Sequence, residues 1–528
     1  MSRSSYFHQL AVLLLYARLA SCVSVSIPVA APSSAPTIAS DYISFSIEQD
    51  RWTDWVGTTS RNQFFFNTLD NLNALTGAPP QIRIGANSED HTDFNPNIQF
   101  SQAVFPPPTT TVPYPEATSI VVGNGYYQAA QFLPANTHVI WGVNLGQNNI
   151  TAAFLEAKSI VKAFASSAIR NAGITLDAIE IGNEPDLYKN NGLRSSSYTS
   201  TQYVQEWTNF AANVSAAAGI SSSSHTKFWG ASFAGSSHST TGFSPQAIFK
   251  EGILNSNAGS FISTISEHRY SGSFCSGSGG LLQDLMTKST IRSNLTQFTP
   301  DITATLNNGL DYVLGETNSY SCHGAPGVSN TAGAALWTLD YLLFATQIGI
   351  SRIFFHEGIG FKYNLIQPIT LTRSILDGST LSTPLPPHIQ PQYYAAIIAA
   401  EAIGSTGNSR AVELSINNSR ISGYAFFENN KLVRAVLIDS QAFFTTTTTP
   451  RGVTHVDLSI TGSGVPTTMT IKRLAIPHAG DTSGLTWGGQ TYETSDARVS
   501  GTLQVDTANV SDGVDIHDTE AILLTFSD

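Results

Sequence analysis

Between residues 42 and 357 the apolar positions gather into eight short runs of strand length, most of them closed by polar or glycine-containing sequence. They are YISFSIE (42–48), IRIG (82–85), HVIWGVNLG (138–146), LDAIEIGNE (176–184), KFWGAS (227–232), TISEHRY (264–270), DYVLGE (311–316) and RIFFHE (352–357). Apolar residues at helical spacing fill several of the gaps. RNQFFFNTLDNLNALTG follows the first run and stops at Gly77 as a C-cap; Asn149 to Ala172 and Thr331 to Ile348 show the same spacing. After the eighth run, QYYAAIIAAEAI (392–403) is a strong helix former. Strand and helix alternating eight times predict an α/β fold, a (β/α)8 TIM barrel.

From about residue 410 the period shortens to two. AVELSI, ISGYAFFE, KLVRAVLIDS, THVDLSI, TMTIKRLAIP, GTLQVD and AILLTFS are separated by Gly, Asn and Thr turns, which predicts an all-β antiparallel sandwich. The expected division is a barrel over 38–405 and a sandwich over 406–528, the latter joined by a strand from 25–37.

The N-terminus places the chain in a setting. Arg3 and His8 precede an apolar stretch from Leu10 to Tyr16 and then small residues from Ala20 to Ser26, the pattern of a signal peptide ending near residue 24. Sequons begin at Asn149, Asn213, Asn294, Asn417 and Asn509, as in a secreted glycoprotein. Once Cys22 is set aside with the leader or its cleavage point, Cys275 and Cys322 remain, and in an oxidising compartment they are expected to pair. They follow the sixth and seventh runs, whose loops leave adjacent strands on one face of a barrel.

Charge narrows the partners. The net charge is −12, only 12% of residues are charged, and no basic run exceeds two residues. Nucleic acid and anionic membranes, which require clustered Lys and Arg, are poor partners. There is no HExxH, CxxC, EF-hand loop, Walker loop or GxGxxG, so neither metal nor cofactor is expected. GASFAGSSHS lacks the GxSxG elbow because position 234 is Ala.

The candidate chemistry is a pair of acids. Glu184, in IEIGNEP, closes the fourth run, and Glu316, in VLGE, closes the seventh. Barrel active sites form where strands end and the following loops begin. Two carboxylates facing one mouth suit glycoside cleavage, one protonating the leaving oxygen and the other attacking the anomeric carbon or activating water. The segments IEIGNEPDLY, ISEHRY, VLGETNSYSC and FFHEGIGFKYN resemble glycoside hydrolase family 79, the secreted β-glucuronidases and heparanases of the clan A retaining glycosidases. The resemblance covers nearly the whole chain after the leader and implies a barrel followed by a β-sandwich. It implies Glu184 as acid/base, Glu316 as nucleophile and Asn183 as a hydrogen-bond partner of the sugar 2-hydroxyl. It also implies that Tyr320, Tyr363 and the backbone around Gly358 and Gly360 hold the glucuronate carboxylate, that Tyr270 bonds the nucleophile, and that Glu48 and Asn87 meet sugar hydroxyls. Arg83 and Arg269 are expected to pair with barrel acids, and His268 and His356 to order loops.

The expected activity is therefore retaining exo-β-glucuronidase, acting on terminal β-linked glucuronate and on its 4-O-methyl form. The alternatives are a heparanase-like endo-β-glucuronidase, against which 26 basic residues set beside 38 acidic ones argue, and a non-catalytic carbohydrate-binding wall protein, against which the presence of both glutamates argues.

Overall fold

The computed structural model describes residues 21–527. The expected leader lies outside the described residues up to position 20; from Ser21 onward the chain is already strand. Eight parallel strands close a barrel in sequential order. They are Ile43–Glu48, Ile82–Gly85, His138–Val143, Thr175–Ile181, Lys227–Phe233, Ile262–Ser273, Asp311–Ser321 and Arg352–Glu357. All eight runs read from the sequence are barrel strands. Their outer faces pack on helices, so the runs are nearly continuous in apolar character, as parallel strands covered on both sides require.

The barrel interior is layered. Ile140, Ala178, Trp229, Val313 and Phe354 fill its lower part with an apolar plug of their own. Above the plug the inward positions turn polar, with Ser46, Arg83, Glu180 and His268 all buried. Helix ends follow local rules. Gln63–Thr76 starts on the Asn62 side chain and ends on left-handed Gly77, and Ser200–Ala218 starts on a Thr199/Gln202 capping box. The helices Ala332–Gln347 and Gln392–Ile403 are buried on almost every face. That explains their uniformly apolar sequences, since they lie between barrel and sandwich instead of on a surface.

The sandwich holds a seven-stranded and a three-stranded sheet. In the larger one Arg410–Glu413, Ile421–Glu428, Lys431–Asp439, Glu520–Ser527 and Thr468–Ala475 are neighbours in that order. One face, with Ala425, Phe427, Leu437 and Ile522, packs on the smaller sheet through Val25, Ile27, Val456 and Ile516. The other face, with Tyr424, Phe426, Val436 and Leu523, joins the barrel's own core. Alternation along ISGYAFFE thus serves two cores at once.

Four expectations need correction. The N-terminal strand is Ser21–Pro28, not 25–37, and it runs parallel to Val453–Thr461 in an otherwise antiparallel sandwich. Its VSVSI alternation is amphipathic, but small residues disguise it as the tail of a leader. GTLQVD (501–506) is an exposed loop that becomes strand only at Asp506, whereas Val514–His517 is a strand the alternation was too short to reveal. Among the sequons, Asn149, Asn417 and Asn509 are exposed and Asn213 is half-buried, but Asn294 is buried. Its Oδ1 accepts from Arg269 within the helix Lys288–Thr296, and this burial disfavours a glycan there. Arg269 accordingly bonds an amide in place of the expected acid. Among the described residues no helix is long and apolar enough to cross a membrane.

Candidate active site

The fourth barrel strand ends in a sharp reversal. Gly182 has φ +78°, and a Cβ there would lie 2.6 Å from both Leu145 Cβ and the Tyr188 hydroxyl, so only glycine fits. The Asn183 backbone N–H donates to Asp90 Oδ2 at 3.1 Å. Glu184 takes left-handed φ 49° and ψ 51°, with its N–H held by the Ser232 carbonyl at 2.8 Å, and Pro185 opens a short 3-10 turn. A non-glycine residue in this region is strained, and the surrounding bonds hold it there, aimed across the mouth.

A register shift does the equivalent job on the seventh strand. Pairing with the sixth strand skips Gly315, so Glu267 faces Leu314 while His268 faces Glu316. A Cβ at 315 would sit 2.1 Å from Ser266 Oγ, so the bulge requires glycine. The result is convergence: carboxylate oxygens of Glu184 and Glu316 and a ring nitrogen of His268 all lie within 4.8 Å of one another.

Arg83, from the second strand and wholly buried, sits under this group. Its Nε donates to Glu180 Oε2 at 2.6 Å, Nη1 to Glu316 Oε2 at 2.8 Å and to Ser46 Oγ at 2.9 Å, and Nη2 to Asn183 Oδ1 at 2.8 Å. One guanidinium thereby fixes the nucleophile candidate and the asparagine beside the acid candidate. Tyr270 donates to the other oxygen of Glu316 at 2.7 Å. His268 Nδ1 is 3.1 Å from Glu184 Oε1. His356 bridges Ser46 Oγ at 3.1 Å and stands 3.6 Å from Glu48 Oε2.

These surroundings drive the two acids apart. Burial and the Glu316 charge push Glu184 up to about 8. Burial alone would raise Glu316 too, but His356, Arg83 and the Tyr270 hydrogen bond override it and hold this carboxyl far below the usual range. His268 contributes no charge near neutrality, because burial lowers it to about 4. The Glu316 and Glu48 carboxylates raise His356 in spite of its burial. One carboxyl is thus kept protonated and its neighbour ionised, the division of labour that acid-assisted displacement needs.

Most of the other expected residues gather here. Asn183 Nδ2 donates to Asn87 Oδ1 at 3.2 Å. Glu48 takes the Ser88 N–H on Oε1 at 2.9 Å, while its buried Oε2 has no hydrogen-bond partner. Tyr363 is buried with its ring 5.9 Å from that of Tyr270. Cys275 and Cys322 form the expected disulfide, with Cα atoms 5.1 Å apart.

Two expectations about the mouth are corrected. Tyr320 is packed with its ring against Gly272 and its hydroxyl against Gly280, so it braces the 274–281 loop and is not free to hold the sugar carboxylate as expected. The Gly358 and Gly360 N–H groups are already used, by Asn364 Oδ1 and Gln367 Oε1 at 3.1 Å each. Neither is available to a ligand. Residues absent from the sequence-based site, chiefly Ser46, Glu180 and Asp186, are buried polar positions along strands and tight turns. Burial pushes Asp186, two positions after Glu184, up to about 6. The signal that could have found Ser46 and Glu180 was polarity at inward positions of otherwise apolar runs.

Comparison with known proteins bears on this geometry. Residues 423–523 match the glycosyl hydrolase family 79 C-terminal beta domain. A beta-glucuronidase of Aspergillus niger is 30% identical over 489 residues, covering 89% of this chain and 85% of the relative. One from Neurospora crassa is 28% identical over 512 residues, covering 89% and 87%. A solved structure of a 4-O-alpha-L-rhamnosyl-beta-D-glucuronidase from Fusarium oxysporum superposes with TM-score 0.77 at 23% identity, over 95% of this chain and all of that one, and shares the fold. A closed parallel barrel with two opposed carboxyls at its mouth and a β-sandwich behind it defines the class, a glycoside hydrolase. Within that class the chain belongs to glycoside hydrolase family 79.

Proposed function

We propose that the protein is a secreted, retaining β-glucuronidase that removes terminal β-linked glucuronate, including its 4-O-methyl form. The observation that carries the reading is the convergence of Glu184 and Glu316 on one mouth, with one oxygen of each within 4.8 Å of the other. A pair this close suits direct attack by one carboxylate, as in retaining enzymes, better than the wider gap that an inverting pair needs to admit a water. The relatives named beta-glucuronidase supply the sugar.

In this reading Glu316 attacks the anomeric carbon while Glu184 gives its proton to the departing oxygen. Once Glu316 is consumed as an ester its charge is gone, the main electrostatic reason for the high Glu184 pKa disappears, and Glu184 becomes the base that activates water. Asn183, held by Arg83, meets the 2-hydroxyl; Glu48 Oε2 and Asn87 meet others. The Tyr363 hydroxyl reads the sugar carboxylate. A net charge of −12 disfavours a sulfated polyanion as substrate and supports exo action on weakly charged glycans.

Hydrolysis of p-nitrophenyl β-glucuronide, with the first-formed anomer followed by proton NMR, tests this. The β-anomer is expected. First formation of the α-anomer refutes the double displacement, and turnover of the β-glucoside in preference to the β-glucuronide refutes the specificity.

A further inference from the structure

The back of the sixth barrel strand carries a second set of convergent ligands. Because His268 points into the mouth, Glu267 points outward by strand alternation. There it meets His238, from the loop after the fifth strand, and Asp301, from the helix Thr299–Asn307. One ligand atom from each of the three lies within 4.8 Å of the others. Glu267 and Asp301 are fully buried, and the His238 side chain is 20% exposed.

The cluster is partly assembled and visibly incomplete. His238 Nδ1 is 2.6 Å from Asp301 Oδ2, the Tyr312 hydroxyl donates to Glu267 Oε2 at 2.8 Å, and Gln246 Nε2 donates to Asp301 Oδ1 at 3.1 Å. Glu267 Oε1 has no hydrogen-bond partner although it is buried, a costly arrangement for a carboxylate oxygen. Among the described residues no Lys or Arg pairs with either acid; the one ion pair reaching them is that of His238 with Asp301.

We propose that His238, Glu267 and Asp301 bind a divalent transition cation, zinc or manganese. Imidazole with two carboxylates is a ligand set for such ions. With bonds of about 2.0–2.2 Å, ligands on opposite sides of one ion stand up to about 4.4 Å apart, so closure asks for a shift of tenths of an ångström. The ion would take up the unpartnered Oε1 and balance two buried carboxylates at once. Tyr312 and Gln246 already orient the ligands from outside, and the exposed edge of His238 gives an entry path. The bound ion would tie a loop, a strand and a helix together behind the strand that presents His268 and Tyr270.

Full-length protein stripped with EDTA and dialysed should be titrated with ZnCl2 and with MnCl2 by calorimetry, alongside thermal unfolding. One of the two ions should bind once per chain and raise the melting temperature. Glu267→Gln should weaken that binding at least about tenfold, and so should His238→Ala, a substitution in a partly exposed loop where folding is not at stake. Glu184→Gln, in the catalytic group, should leave it intact. Absence of both heat and thermal shift overturns the site and means that a proton on Glu267 does the ion's work. Binding that survives both variants, or that Glu184→Gln abolishes, overturns it as well and places the ion elsewhere.

Discussion

Arg83 shows how much chemistry at the residue scale one buried side chain can set. Its charge lies under both the Glu316 carboxylate and the Asn183 amide, so the two candidates are positioned relative to each other by a common partner. Expected consequences are separable. Glu316→Gln should abolish turnover of even activated glucuronides, since no nucleophile remains. Glu184→Ala should spare aryl substrates whose leaving groups need no proton, and added azide should give a β-glucosyluronic azide, detectable by mass spectrometry and NMR. In the wild type, kcat/KM requires Glu184 protonated, so it should fall as pH rises through about 8. Glu316 stays ionised down to strongly acidic pH, so it sets no acid limb in the working range. Tyr363→Phe should cost about 1.5–3 kcal/mol on the glucuronide and little on the matching glucoside. Equal losses in the two kcat/KM values would limit Tyr363 to shaping the pocket. Of these residues the glutamates and tyrosines were legible because they close runs or follow them. The Arg83 hub was legible only as an arginine near acids, because its four hydrogen-bond partners come from the first, fourth and seventh strands and their ends. Asn294 and Tyr320 misled for a related reason: a sequon and a loop tyrosine do not say which way they face.

At the level of elements, periodicity read the barrel well, down to the four residues of IRIG, because parallel strands buried on both faces are apolar throughout. It read the sandwich less well. Short edge strands such as Val514–His517 have too few residues to establish a period, and exposed GTLQVD alternates without pairing. The disulfide lies at this scale. It joins the loops after the sixth and seventh strands at a separation of 47 residues. Next to it His323 is 2.8 Å from Glu116 and stacks on Phe361 at 3.6 Å, so the bridge holds a wall of the mouth that includes the second strand's loop. Replacing both cysteines by alanine should lower unfolding stability by up to about 4 kcal/mol, read from denaturant melts. Thiol titration of denatured, unreduced protein should find neither Cys275 nor Cys322 free.

For the whole molecule, the seven-stranded sheet belongs to two cores, and a charged cluster pins it to the barrel. Arg292 bonds Asp340 at 2.5 Å, Glu413 at 2.6 Å and the Tyr424 hydroxyl at 2.7 Å, while Tyr424 and Ser422 donate to Asp340 at 2.6 and 2.9 Å. Arg292 and Asp340 lie on barrel helices and the others on sandwich strands. Removing one partner of a buried pair strands the other, so Arg292→Ala should cost about 3–5 kcal/mol. Calorimetry should still record one transition, at a lower temperature, because the barrel cannot shed a sheet that covers its own core. A chain ended after residue 405 should accordingly fail to give soluble barrel.

The parallel strand Ser21–Pro28 has a consequence in time. A chain made from its N-terminus presents this strand before the barrel and its partner, residues 454–461, after it. Through the whole production of the barrel the VSVSI ribbon has no edge to join, with Val25 and Ile27 seeking cover. The sandwich, made after the barrel, therefore needs a segment made before it. Its assembly must wait until residues 454–461 have been made, and the growing chain must keep Ser21–Pro28 guarded until then.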